Sequence, residues 1–202
     1  MKPLFITGIG TDVGKTLVAA IVVEKLKADY WKPIQSGDLD NSDTMKVKNL
    51  VSNEDSVFHP EAYRLTQPFS PHKSADLDQV EISLQNIYPP VTANKLVIEG
   101  AGGLMVPLNK RAYVLDLIQA LNAEVILVVK HYLGSINHTL LSLELLKSKN
   151  IPVKGIIYNA GEDHYSEQAI VNHSNIEVIG RIPYCNDLTC EKIVDLGKLI
   201  DL

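Results

Sequence analysis

Cysteine is scarce in this chain: its 202 residues include two, Cys185 and Cys190. A zinc site needs more ligands at tighter spacing, and a cytosolic chain rarely keeps a disulfide, so both are read as unpaired thiols. Long apolar runs are also missing. The longest, residues 17–23 and 125–129, fall far short of the roughly 20 residues a membrane span needs. Positive charge is not in excess. The formal net charge is -5 and no basic stripe stands out, so nucleic acid is not the expected partner. The first residues run directly into a strand, so no signal peptide is expected, and the cytoplasm is the expected location. Repeats, linkers and low-complexity stretches are lacking too, and residues 1–202 are read as one domain.

What is present is ordinary globular composition, 46% hydrophobic and 21% charged. Apolar runs of strand length alternate with helix-length segments. Strands are expected at residues 2–7, 30–34, 95–99, 125–129, 153–157 and 177–182. Helices are expected at 15–27, 44–51, 78–87, 114–121, 136–147 and 191–199. Residues 59–73 carry Pro60, Pro68 and Pro71 and read as irregular loop. Apolar strands flanked by helices argue an α/β fold, a mostly parallel sheet covered on both faces. Ligands bind such sheets at the carboxyl ends of the strands, where the polar and glycine-rich motifs of this chain fall.

The first of these motifs organises the rest. Phe5-Ile6-Thr7-Gly8-Ile9-Gly10-Thr11-Asp12-Val13-Gly14-Lys15-Thr16 joins a strand to a helix through a glycine-rich turn. Strand, glycine turn, Gly-Lys-Thr and helix are the parts of a phosphate-binding loop, so the fold expected is P-loop NTPase-like. Backbone N–H groups and the positive end of the helix dipole converge on phosphate oxygens. Lys15 reaches the β- and γ-phosphates in such a loop, and the Thr16 hydroxyl ligates Mg²⁺. The usual spacing puts the first glycine at position 9, which is Ile9 here, with Gly8 before it and Gly10 after it.

Two further strand ends carry charge. Glu99 closes a strand and precedes Gly100-Ala101-Gly102-Gly103. A carboxylate there, beside a phosphate loop, holds Mg²⁺ directly or through water. Lys32-Pro33-Ile34-Gln35-Ser36-Gly37 follows the second strand, and a lysine fixed at a strand end can stabilise developing negative charge. Asp43, within Asn41-Ser42-Asp43, has two open readings: a second metal ligand, or the N-cap of the helix beginning at Thr44.

Together these residues resemble the dethiobiotin synthetase family. The matching stretches are Gly8 to Thr16, Lys32-Pro33 with Ser36-Gly37, Asn41-Ser42-Asp43, and Tyr63 with Pro68-Phe69-Ser70-Pro71-His72. Further on come Glu99-Gly100-Ala101-Gly102-Gly103, Leu133-Gly134-Ser135-Ile136-Asn137-His138, Asn159 and Ile182-Pro183-Tyr184. They cover nearly the whole chain in the family order. The resemblance implies a ligase of biotin biosynthesis that uses 7,8-diaminopelargonate, CO₂ or bicarbonate, and ATP with Mg²⁺. It assigns Lys15 and Lys32 to the phosphates and the carbamate, with Thr11 beside them in the loop. Thr16, Asp43 and Glu99 go to Mg²⁺, and Ser36 to the substrate. Asp12, Val13, Gly14, Gly100, Ala101 and Gly102 line the nucleotide, and Asn159 with Pro183, Tyr184 and Cys185 takes adenine. The family is dimeric and reads the substrate tail with Gly134, Ser135, Ile136 and Asn137 of the second subunit. On the chain alone, Ser135 or Asn137 could equally be a helix cap. Tyr184 stands where the family often has tryptophan.

Other residues carry less. His72 reads equally as loop packing or as ligand, His131 has no obvious partner, and Trp31 and Tyr63 read as packing. A rival function is a partner-switching ATPase related to septum-positioning and nitrogenase iron proteins. Those carry a further lysine early in the loop, where this chain has Gly10.

Overall fold

The structure, a computed structural model, describes residues 2–202. β1 (Leu4–Gly8) is buried along its whole length and feeds α1 (Lys15–Leu26). β2 (Asp29–Trp31) and β3 (Ile34–Ser36) follow, then α2 (Asp43–Leu50), β4 (Phe58–His59), β5 (Tyr63–Leu65) and α3 (Pro71–Leu77). The second half alternates regularly: β6 (Leu96–Glu99), α4 (Val114–Ala120), β7 (Glu124–Lys130), α5 (Ser135–Ser148), β8 (Val153–Asn159), α6 (His164–Ser174), β9 (Val178–Ile182) and α7 (Cys190–Gly197).

Seven strands make one sheet, ordered β4-β2-β6-β1-β7-β8-β9, and each neighbouring pair is parallel. Strands with both faces covered need apolar residues at nearly every position, and β7 meets that need with Val125 to Val129 all buried. α1 is apolar around most of its circumference because it lies between the sheet and the helices α2 and α7. The opposite face carries the other core cluster, with Phe5, Ile98, Leu117, Leu127 and Leu143. This α/β architecture is the one expected.

Three local expectations fail. Residues 30–34 are two strands: β2 joins the main sheet, while β3 pairs with β5 in a separate two-stranded sheet. Pro33 breaks the run, since it lacks the N–H a continuing strand would donate. The stretch 59–73 is therefore not all irregular. It contains β5 and the start of α3, where Pro71 sits in the first turn, a position that suits proline. Residues 78–87 are no helix; only a single 3₁₀ turn forms, Leu84–Asn86.

Asp29 ties the edge of the sheet together. Its carboxylate accepts from Val57 N at 3.0 Å, Asn94 Nδ2 at 2.9 Å and His59 Nε2 at 3.0 Å. Burial pushes its pKa up, but these donors and Thr92 outweigh burial and pull it down to about 2. A depressed carboxylate stabilises the fold above its unfolded pKa, near 3.8, and that stability is lost as pH falls through about 2. The amount is about 2 kcal/mol. Asp29→Asn should lower the urea midpoint at pH 7, with the gap to wild type narrowing below pH 3. A constant gap across that range would remove Asp29 as a source of acid sensitivity.

Candidate active site

Gly8 ends β1, and the loop from Ile9 to Gly14 folds back over it. A β-carbon on Gly8 would lie 2.4 Å from Val13 Cγ2, whereas one on Gly10 would meet nothing within 4 Å. Gly8 is thus the glycine the loop requires, and the loop is one residue longer than the usual spacing. Asp12 takes the left-handed conformation at φ 57° to make the turn. Gly14 has φ 96°, and a β-carbon there would fall 2.0 Å from Asn159 Nδ2. No side chain caps α1, so its first N–H groups point out of the helix with the positive dipole end.

Behind this loop three parallel strand ends meet. β6 lies between β1 and β2 and brings Glu99 next to the start of α1. Glu99 is 1% exposed. Its Oε1 accepts from Thr16 Oγ1 at 2.9 Å and from Lys32 Nζ at 3.1 Å. Its Oε2 accepts from Tyr30 OH at 2.8 Å. Lys32, 5% exposed, also pairs with Asp43 Oδ2. Burial works to lower the Lys32 pKa, but Glu99 and Asp43 outweigh it and hold the ammonium above its ordinary value. Burial likewise raises the Asp43 carboxyl, and Lys32 and Lys46 more than reverse this. Lys15, 8% exposed, donates to Gly10 O at 2.8 Å, and burial is the main reason its pKa is lowered. Tyr30 is raised well above the ordinary phenol value by burial and then by Glu99.

Asp43 does not cap α2. Ser42 is the cap, accepting from Met45 N at 3.4 Å, and Asp43 stands in the first turn. Gln35 holds the short connection from β3: its Nε2 donates to Gly37 O at 2.9 Å and its Oε1 accepts from Asp43 N at 3.3 Å. The carboxylate of Asp43 is thereby free to face Lys32.

These groups open on a cavity of about 670 Å³. Thr11, Asp12, Gly14, Lys15, Thr16, Lys32, Ser36, Asp43, Glu99, Ala101 and Gly102 all line it. Ser36 Oγ is buried and has no hydrogen-bond partner among the described residues. Gly100 lies deeper, where a β-carbon would strike the Phe5 ring at 2.6 Å. Val13 turns its side chain into the core and accepts from Asn159 Nδ2 at 2.9 Å through its carbonyl. Pro183 and Tyr184 line a different cavity of about 440 Å³, with Gly161, Glu162 and Arg181. Cys185 follows them, its thiol donating to Pro183 O. Gly134, Ser135, Ile136 and Asn137 start α5 and do not line the large cavity. Gly134 is the N-cap and no side-chain cap bond forms, so Ser135 and Asn137 are not caps.

The donor set suits Mg²⁺. An ammonium already bridges the Asp43 and Glu99 carboxylates beside the Thr16 hydroxyl, so the position accepts a cation, and hard oxygen ligands are those Mg²⁺ takes. Among the described residues no group of three His, Cys, Asp or Glu could hold a metal without help. Phosphate oxygens and waters ordinarily complete such a shell. Tyr30 and Gln35 were missed in the sequence, although strand alternation puts Tyr30 on the same face as Lys32.

A sequence profile described as an AAA domain matches residues 2–192. An ATP-dependent dethiobiotin synthetase BioD of Christiangramia forsetii is 54% identical over 96% of this chain and 95% of that protein. One from Cytophaga hutchinsonii is 51% identical over 100% of this chain and 98% of that protein. One from Paramagnetospirillum magneticum is 39% identical over 97% and 95%. Among solved structures, the cell division ATPase MinD of Pyrococcus furiosus superposes with a TM-score of 0.63 at 12% identity, covering 98% of each chain. A ParA family ATPase of Chlorobium tepidum gives 0.56 at 15% identity, again over 98% of each. At those identities the two ATPases share the fold alone.

Proposed function

The chain belongs to the ATP-dependent dethiobiotin synthetase family, and from that premise we propose that it closes the ureido ring of dethiobiotin from 7,8-diaminopelargonate, CO₂ and ATP with Mg²⁺. One observation carries the reading: Lys15, Thr16, Lys32, Asp43 and Glu99 surround a single cavity at the carboxyl ends of β1, β2 and β6. One amine attacks CO₂, forms the first C–N bond and sheds a proton, leaving a carbamate. A carbamate oxygen attacks the γ-phosphorus as the bond to ADP breaks. The second amine attacks the carbonyl carbon of the resulting anhydride and sheds a proton as the ring C–N bond forms, and phosphate leaves with the C–O bond electrons.

Lys15 and the free N–H groups at the start of α1 hold the phosphates. Lys32 lies where carbamate and γ-phosphate meet, and a fixed cation there favours the charged transition states over the neutral diamine. The Thr16, Asp43 and Glu99 oxygens would hold Mg²⁺, which when bound would supply positive charge against the phosphates. Ser36, whose hydroxyl has no partner among the described residues, faces the diamine. Adenine lies by Asn159 and the Pro183–Cys185 backbone, which leaves the sheet where Ile182 pairs with Asn159.

The substrate tail requires a second subunit in this reading. Leu133 is fully exposed, and Met105 and Leu141 line an apolar groove of about 330 Å³ beside the phosphate loop. A two-fold dimer would cover this face and set the Gly134–Asn137 turn of one subunit against Lys32 and Ser36 of the other. A cytoplasmic location belongs to the same reading. Among the described residues no helix is long and apolar enough to cross a membrane.

Phosphate release should require diaminopelargonate and bicarbonate together, and the active species should sediment as a dimer. Release independent of the diamine would favour the partner-switching ATPase. That rival has in its favour a shared fold only, and Gly10 stands where its lysine would be. An active monomer at assay concentration would refute the shared site.

A further inference from the structure

We propose that Tyr30 is a positioning residue for Glu99: its phenol occupies one carboxylate oxygen and so aims the other at the cation position beside Thr16 and Lys32. This rests on the reading of Glu99 as a carboxylate of the Mg²⁺ site. Tyr30 pairs with Val97 across β2 and β6, and Glu99 stands two residues beyond Val97. The side chains of Tyr30 and Glu99 therefore lie on one face of the sheet, the face that α1 covers. The Tyr30 ring runs along that face toward the strand ends, and its hydroxyl donates to Glu99 Oε2 at 2.8 Å. The ring is wholly buried and packs 6.1 Å from the Phe58 ring, which holds it in place.

The two oxygens of Glu99 thus have separate tasks. Oε1 meets Thr16 and Lys32, and Oε2 meets Tyr30. The last torsion of a glutamate is broad, so packing alone does not select one orientation. The phenol does, because turning the carboxylate would leave a charged oxygen without a partner in apolar surroundings. Tyr30 is not among the residues lining the large cavity, so it acts through Glu99 and not on substrate. Mg²⁺ tolerates little departure from octahedral geometry. Groups that orient a metal's ligands commonly change metal affinity by about 10–100-fold when removed.

Tyr30→Phe keeps the ring and its packing and deletes the hydroxyl. Mn²⁺ titration of the ADP-bound protein, followed by loss of the free-ion EPR signal, should show metal binding weakened about 10-fold. Metal-free ADP affinity should be unchanged. In turnover, the Mg²⁺ concentration for half-maximal rate should rise about 10-fold, with most of kcat recovered at saturating Mg²⁺. If the variant is less stable, the thermal midpoint gives the same readout: ADP alone keeps its shift, while the further shift from Mg²⁺ shrinks. Unchanged Mn²⁺ affinity, or an equal loss of rate at every Mg²⁺ concentration, overturns the proposal and leaves Tyr30 as packing. Wild-type protein that binds ADP with no metal dependence overturns the Mg²⁺ site itself, and the role of Tyr30 with it.

Discussion

Lys15→Ala is expected to lower kcat/KM by roughly 10²–10³-fold, the scale of removing one preorganised donor from a developing charge. The protein should still fold, for a reason visible at the site. Among the described residues Lys15 has one hydrogen-bond partner, the Gly10 carbonyl, and no ion pair. Burial lowers its pKa, so in the folded chain the charged ammonium is disfavoured, and its removal relieves that strain. The melting temperature of Lys15→Ala should therefore equal or exceed that of wild type. Turnover near the wild-type rate in the purified variant would dismiss Lys15 as the phosphate's cationic partner. Loss of turnover together with a collapsed melting temperature would make the residue structural.

Lys32→Gln should behave in the opposite way toward stability. Its ammonium sits between two carboxylates, Glu99 and Asp43, and among the described residues only Asp43 has a second cation, Lys46 at 3.4 Å. Removing one partner of a buried ion pair commonly costs about 3–5 kcal/mol. Added Mg²⁺ should restore more stability to the variant than it adds to wild type, because the two carboxylates then lack a cation. The wild-type pair is steady across neutral pH. The raised Lys32 contributes fully below its unfolded pKa, and that is lost as pH rises through its folded value. The depressed Asp43 contributes fully above its unfolded pKa, and that is lost as pH falls through its folded value. In catalysis kcat should fall roughly 10²–10³-fold while ADP affinity, measured by calorimetry, changes far less. A large loss of ADP affinity with kcat preserved would make Lys32 a nucleotide anchor.

Much of this was legible along the chain. The phosphate loop announced itself because strand, glycines, Gly-Lys-Thr and helix are adjacent, and each part follows from local backbone and side-chain chemistry. The buried strands β1, β6 and β7 were legible as well, since a strand covered on both faces must be apolar throughout. Glu99 could be picked out because it ends such a strand. The small sheet of β3 and β5 could not. Each is three residues long, and neither holds its shape without a partner distant in the chain. The helix at α3 is hidden in the sequence because a proline-rich stretch reads as a helix breaker, whereas a proline in the first turn begins a helix.

The sequence by itself determined the fold class, the phosphate loop, and a set of charged residues at strand ends. Tertiary structure decided what those residues do to one another. Glu99 lies 67 positions from Lys32 and 83 from Thr16, yet all three meet at one carboxylate oxygen. They meet because β6, from the middle of the chain, inserts between β1 and β2. Strand order is set by long crossover connections and by which faces the helices cover, and neither is written in any local run of residues. The same insertion turns Tyr30, an unremarkable strand residue in the sequence, into the partner of the second oxygen of Glu99.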